Sequence, residues 1–437
     1  MNRISKIFQP LLIVPKNAVV KSQDLTSRSQ KLMIETGLIR PTNNGSFYIL
    51  PLLQRSIEKL TKLLDEHMHE IEAQKLTMPT LTALDLWKQS GRFNDDTKTE
   101  LMVFKDRHEK LQLLSPTHEE SITALLAQIS PVSYRNFPLR LYQITQKFRD
   151  EMKPRFGLIR AKEFLMKDLY TFDLDLAAAR ETYELVNEQY VKLFRRLEVP
   201  FLKIAADTGV MGGKTSHEYQ ILTSIGEDQI VQCVKCLRAV NKELCLDSGK
   251  ICKNCEQLET HQGIEIGHTF ILEDKYSNTL NATYLSKIGK PVALQMGCYG
   301  IGVTRLIAAS IEKMSSEVEI RWPIALAPFK VCIIPPKEGS KEELNKKCSV
   351  EEIYQQLEAP ETGLKGEIVV DDRTNTTIGK RLREIQKLGI PFVIVMGSGA
   401  TEDEPKLEVH QLNENFTVNM TVSDAVNFVA EQTKIEK

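Results

Sequence analysis

The chain has no apolar run near the ~18 to 20 residues that a membrane helix needs. The longest candidate, Ala325 to Pro336, is broken by Lys330 and by its own prolines. No membrane insertion is expected. Net charge is also nearly absent: 57 Lys and Arg stand against 58 Asp and Glu, for a formal charge of −1. A nucleic-acid partner would therefore be held by local Lys/Arg patches, not by an overall field. Internal repeats and low-complexity stretches are missing. The eight cysteines lack the spread of a secreted disulfide framework, because five of them fall between Cys233 and Cys255. That points to a reducing compartment.

Acidic residues are missing from Met1 to Gln23, where Arg3, Lys6, Lys16 and Lys21 occur. Ile4, Ile7, Phe8, Leu11 and Leu12 could share one face of a short helix. This is the composition of a mitochondrial transit peptide, or of a disordered basic start, over residues 1–26.

What is present is a profile of 42% hydrophobic and 26% charged residues in 437, enough for two to three globular domains. Pro51 to Gln74 reads as an amphipathic helix, with Leu53, Ile57, Leu60, Leu64, Met68 and Ile71 at spacings of three and four. Lys75 to Met78 reads as a short strand stopped by Pro79. Tyr142 to Glu151 and Phe164 to Phe172 alternate like strands around a polar loop. Val292 to Met296 reads as a strand entering Gly297, Gly300 and Gly302, followed by a helix from Val303 to Met314. These signals predict an α+β domain over 27–324 built on a largely antiparallel sheet. From 325 to 437, strands at Val331–Ile334, Glu367–Val370 and Phe392–Met396 alternate with helices near Lys341–Leu357 and Thr377–Leu388. That order predicts a separate α/β domain.

Two constellations carry chemistry. Phe148-Arg149-Asp150-Glu151, a loop, and Arg160-Ala-Lys-Glu-Phe164 would present two arginines to a polyphosphate and an aromatic face to a base. An Arg/Glu pair on a strand is more often a surface salt bridge. Gly297-Cys-Tyr-Gly300-Ile-Gly302-Val-Thr-Arg305 reads as a glycine-rich turn from strand to helix that allows close backbone approach to a ligand. Its spacing does not match a dinucleotide fingerprint.

With the helix and strand before Pro79, these stretches resemble, in order, the three signature motifs of class II aminoacyl-tRNA synthetases. Leu113-Leu-Ser-Pro-Thr117-His-Glu119-Glu, Gly212-Gly-Lys-Thr-Ser216-His217-Glu218, Gly263-Ile-Glu-Ile-Gly-His268-Thr-Phe and Asp371-Asp-Arg373 sharpen the likeness. Together they resemble bacterial-type prolyl-tRNA synthetases as found in mitochondria, from about Ser27 to the C-terminus. The resemblance implies proline activation with ATP and Mg²⁺, transfer to tRNA(Pro) and location in the mitochondrial matrix. It also implies a homodimer that uses the helix ending at Pro79. Thr117 and Glu119 would then form the proline pocket, with His268 and Cys298 lining it. Arg149 would hold the α-phosphate, Glu151 the adenine side, Arg160 the terminal phosphates and Phe164 one adenine face. Arg305 would cover the other face and touch the γ-phosphate. Arg149 and Arg305 would be the catalytic pair. Ser216, His217 and Glu218 would border the site, although His217 could equally be a core histidine, and Cys298 could be simple packing.

The chain departs from many bacterial family members in one place. Only about 40 residues separate the His217 and Gly263 regions, too few for the large editing domain found there. Within them, at 229–262, Cys233-x₂-Cys236 and Cys252-x₂-Cys255 stand fifteen residues apart. This is the spacing of a structural Zn²⁺ ribbon, or of one that has lost its metal. The C-terminal domain resembles the anticodon-binding domain of the same subclass. There Arg373 and Lys380 are candidates for base reading, or equally for a helix cap or surface pair. The reading from another class is a synthetase-like nucleic-acid-binding accessory protein without catalysis. Such proteins typically lose ATP-binding arginines that are present here.

Overall fold

The computed structural model describes residues 1–10, 25, 27–94, 100–245 and 257–434. Among them, no helix is long and apolar enough to cross a membrane.

The larger unit is built on a nine-stranded, mostly antiparallel sheet. Its centre is formed by Leu258–Glu273, Gln295–Gly302, Glu163–Asp173 and Leu139–Phe148, each antiparallel to the next. Side chains on a strand alternate between faces, and the two faces of Glu163–Asp173 do different things. Phe164, Met166, Asp168 and Tyr170 face a cavity. Lys167 and Leu169 point the other way. Lys167 donates to Tyr190 Oη on the helix Leu176–Arg196, and Leu169 joins the core that this helix shares. The helices Pro51–Glu70 and Val303–Met314 complete that packed layer. The sheet is thus closed on one face and open on the other.

The helix read from Pro51 ends at Glu70, since Ile71 and Glu72 leave the helical ladder and Glu72 turns to φ 56°. The strand expected at Lys75–Met78 shortens to Gln74–Lys75. The chain after it is tied down by the Met78 N–H, which donates to Gln143 Oε1. The glycine stretch is corrected more substantially. Gly297 and Gly300 lie inside the strand Gln295–Gly302, not in a turn. A Cβ at Gly297 would meet Tyr299 Oη at 2.4 Å and Thr171 Oγ1 at 2.8 Å. Gly300 leaves the cavity floor bare. The helix Val303–Met314 is where the sequence placed it.

The second unit has a six-stranded sheet with the order Asn2–Arg3, Ile368–Val370, Val331–Ile334, Phe392–Val395, Lys406–Gln411 and Phe416–Thr421. The expected helix at Lys341–Leu357 is split into Lys341–Asn345 and Val350–Leu357, the second opened by a capping box on Ser349 and Glu352. The first residues of the chain differ from their reading. Asn2–Arg3 is a strand parallel to Val369–Val370, and Ile4–Lys6 is one 3₁₀ turn, not an amphipathic helix. Ile4 is buried, Phe8 is exposed, and Ser5 donates to Asp372 from both its N–H (2.9 Å) and its hydroxyl (2.6 Å). Gln9 and Pro10 reach the other unit through the Thr36 carbonyl and Arg40. Strand pairing with the C-terminal sheet outweighs the local helical pattern here. Leu11 and Leu12 lie outside the described residues.

Candidate active site

The open face of the sheet holds a cavity of about 420 Å³. It is lined by Thr117, Glu119, Arg149, Phe164, His268, Cys298 and Arg305, all of them expected from the sequence. Thr117 and Arg305, 188 positions apart, meet here because the central strands run side by side.

At one end, the turn before the helix Glu119–Ile129 sets the Thr117-x-Glu119 pair. Thr117 Oγ1 donates to Glu119 Oε2 at 2.5 Å. The turn is held from below: the His118 N–H donates to Tyr170 Oη at 2.9 Å, and Tyr170 donates to Asp168 Oδ2 at 2.8 Å. Asp168 in turn receives Lys147 Nζ at 2.8 Å and Gln143 Nε2 at 3.0 Å. Tyr170, Asp168, Lys147 and Gln143 are buried and bonded to one another, and such a paired polar network is rigid. His118 is part of it, with Nε2 at 3.1 Å from the Pro79 carbonyl. Arg92 Nη1 reaches Glu119 at 2.9 Å. Cys298 forms a wall, and burial first, then the nearby Glu119, push its thiol well above the ordinary range. It stays a neutral packing group.

At the other end, Arg149 stands with its guanidinium 5.3 Å from the centre of the Phe164 ring. Arg305 is fixed by donating to the Ile159 carbonyl at 2.9 Å and the Glu265 carbonyl at 3.2 Å. Burial, then the charge of Arg305, lower the pKa of Arg149, with Glu265 and Glu151 opposing. Two facing cations in a half-buried cleft form a site that an anion stabilises.

Glu218, Glu265 and His268 form a third group, with ligand atoms within 4.8 Å of one another. Burial first, then Glu265, push the Glu218 carboxyl up to about 7. Burial opposes it, but His268, Arg305 and Arg149 pull the Glu265 carboxyl down to about 2. His268 also stacks on Phe270 at 3.8 Å and meets Ser216 Oγ at 3.1 Å.

Glu151 and Arg160 place differently from the expectation, while for His217 and Arg373 the contacts fit the second of the two readings left open for each. Glu151 and Arg160 do not line the cavity: Arg160 Nε donates to Glu151 at 2.8 Å and Nη1 pairs with Glu227. Carboxylates on the rim capture this arginine, as surface pairs do. His217 is partly buried, its Nδ1 meets Tyr183 Oη at 2.7 Å, and burial lowers its pKa to about 4, so it packs against the helix Leu176–Arg196 and does not line the cavity. Arg373 is engaged by Asp371 and Glu384 at 2.6 to 2.8 Å in a structural ion pair, while Lys380 is exposed. Of the cysteine set, Cys233 is buried and Cys236 exposed on a hairpin turn closed by Cys233 N to Arg238 O at 2.9 Å. Cys252 and Cys255 lie outside the described residues. Arg92, Trp87, Asp168 and Glu265 also line the cavity. No sequence motif points to the first three as site residues, whereas Glu265 lies in the Gly263–Phe270 stretch.

A family model described as "tRNA synthetase class II core domain (G, H, P, S and T)" matches residues 99–314, and one described as "Anticodon binding domain" matches 330–432. A Rattus norvegicus protein named "Probable proline--tRNA ligase, mitochondrial" is 46% identical over 422 residues, covering 96% of this chain and 88% of that one. The chain belongs to the prolyl-tRNA synthetase family. A family member of the same name in Homo sapiens is 45% identical over 93% of this chain and 86% of its own. A "Proline--tRNA ligase" of Wolbachia sp. subsp. Brugia malayi is 35% identical, with 92% and 94% covered. The fold agrees: a prolyl-tRNA synthetase from Cryptosporidium parvum solved with L-proline and AMP superposes with a TM-score of 0.72 at 16% identity, over 94% of this chain and 78% of that one.

Proposed function

We propose that this chain is a proline--tRNA ligase that forms prolyl-adenylate from proline and ATP and passes the prolyl group to tRNA(Pro). The observation that carries the reading is one cavity with a carboxylate at one end and a pair of facing arginines at the other. Proline is a secondary ammonium next to a carboxylate, and ATP is an aromatic base with a polyanion. The cavity offers Thr117 and Glu119 to the ammonium and Arg149 to the α-phosphate. Phe164 and Arg305 are the two sides of an adenine clamp. The proline carboxylate is already a nucleophile, so no strong base is required. It attacks the α-phosphorus, the bond to the β-phosphate oxygen breaks, and pyrophosphate leaves. The 3′-terminal hydroxyl of tRNA then attacks the carbonyl of the adenylate and AMP leaves. Catalysis by Arg149 and Arg305 is charge stabilisation and alignment. Mg²⁺, when bound with ATP, would neutralise charge on the phosphates. The carboxylates of Glu218 and Glu265 suit its preference for oxygen. Arg160, held by Glu151 and Glu227 at the rim, is within the chain segment that would meet the terminal phosphates.

Proline-dependent exchange of pyrophosphate into ATP, followed by charging of tRNA with proline, tests this. Exchange driven by threonine or serine instead would overturn it. The four-cysteine set suits a tetrahedral structural Zn²⁺, and the hairpin at Cys233–Cys236 is the turn such a knuckle needs. The names of the mitochondrial relatives support work in the mitochondrion, and the matrix is where tRNA charging for translation in that organelle would be needed.

Alanine fits inside any pocket that admits proline, and each missing methylene is worth only ~1 to 3 kcal/mol. With no room for an editing domain, the purified chain is expected to form Ala-tRNA at a measurable rate and not to hydrolyse it. Rapid loss of alanine from pre-charged Ala-tRNA on adding the chain would contradict this.

The exposed residues Leu81 and Leu125 flank a groove lined by Leu76, Met78 and Pro79. A second copy covers this groove in the working enzyme. Sedimentation velocity is expected to show a dimer for the native chain and a monomer for Leu125→Glu. A monomeric native chain would count against it.

A further inference from the structure

Glu119 and Glu120 open the helix Glu119–Ile129, and both carboxylates are buried, at 2% and 0% exposure. Neighbouring helical residues point about 100° apart and do not share a partner by default. Here one guanidinium lies across both. Arg92 Nη1 stands 2.9 Å from Glu119 Oε2, and 3.2 and 3.3 Å from the two oxygens of Glu120. Arg92 is itself buried and lies over the Trp87 ring with 4.4 Å between guanidinium carbon and ring centre. Ser90 Oγ adds a bond of 2.7 Å to Glu120. Trp87, Ser90 and Arg92 come from one short stretch, so a single arm of the chain carries the clamp.

The chemistry of adjacent buried carboxylates is specific. Without a cation between them they share a proton, because two negative charges at close range do not coexist in a dry site. A Glu119 that carries that proton is a poor acceptor for an ammonium. With a cation and only one carboxylate, the pair is already neutral and has little attraction left. Two carboxylates around one guanidinium offer an ammonium more negative charge than a single carboxylate would.

We propose that Arg92 is a positioning residue: it bridges Glu119 and Glu120 and keeps Glu119 aimed into the cavity to receive the secondary ammonium of proline. Glu120 is the counter-charge that stops the guanidinium from neutralising Glu119. This rests on the reading of Glu119 as the ammonium acceptor.

The test measures KM for proline and for ATP separately in pyrophosphate exchange with the full chain. Arg92→Met is expected to raise KM for proline on the order of 100-fold, the size typical of breaking a buried pair, with KM for ATP unchanged. Adding Glu120→Gln to Arg92→Met removes the surplus charge and is expected to restore at least about tenfold of that loss. A merely structural role for Arg92 predicts no such rescue. Glu120→Gln alone keeps the fold intact and leaves Arg92 paired to Glu119, so KM for proline rises roughly fivefold. The inference is overturned by a normal proline KM in Arg92→Met or in Glu120→Gln, or by failure of the double variant to recover. Glu119→Gln separates the two levels. A near-normal proline KM there removes the acceptor reading itself, whereas a high one beside a normal Arg92→Met removes only the role of Arg92.

Discussion

Arg149→Ala is expected to lower the rate of proline-dependent pyrophosphate exchange by about 10² to 10³, the usual cost of removing one charge-stabilising contact in a closed site. The guanidinium is anchored at the end of the strand Leu139–Phe148, where the Arg149 N–H donates to the Lys162 carbonyl at 2.9 Å. It stands beside Phe164 and faces Arg305. Its task is to neutralise charge that grows on the α-phosphate as the proline carboxylate approaches. That charge is larger in the transition state than in bound ATP, so the loss should fall mainly on kcat and less on KM for ATP. The protein should stay folded, because Arg149 faces the cavity and the next cation, Arg305, no longer meets a like charge. Circular dichroism checks the fold. Exchange at near-normal rate in a folded Arg149→Ala chain would remove the assignment.

Glu119→Gln is expected to act at the other end of the cavity and on the other kinetic constant. An amide at this position keeps the volume and can still bond Thr117. It cannot balance an ammonium, so KM for proline should rise on the order of 100-fold while KM for ATP stays close to normal. The ratio of the two effects is the informative quantity. A variant in which both constants worsen together would mean that Glu119 shapes the helix start instead of binding substrate.

Much of this site is legible in the sequence. Thr117, Glu119, Arg149, Phe164, His268, Cys298 and Arg305 sit in local stretches whose order along the chain is itself a signature, and antiparallel neighbours bring such stretches together. What could not be read falls into two kinds. Arg160 and Glu151 have the right chemistry in the right stretch, but Glu227, from a loop 67 positions on, draws Arg160 to the rim. Arg92 has no periodicity or spacing to announce it, and its meaning appears only when Glu119 and Glu120 are seen on either side. The fold shows the same division. Period-two alternation and turn residues placed two of the central strands, Leu139–Phe148 and Glu163–Asp173, to within about three positions, whereas nothing local marked Leu258–Glu273 as a strand. The pairing of Asn2–Arg3 with a strand 367 positions away depends on tertiary context that no local pattern encodes. The glycines at 297 and 300 signalled close approach correctly and turn geometry wrongly, since both needs select the same residue.

The central claim is that one bent nucleotide and one imino acid share the cavity between Glu119 and Arg305. A crystal structure with a non-hydrolysable prolyl-adenylate analogue tests it directly. The expected map has the ring nitrogen bonded to Glu119 and the phosphoryl oxygen to Arg149. The adenine should lie between Phe164 and Arg305. An analogue bound elsewhere, or one whose ring nitrogen faces away from Glu119, would contradict the account.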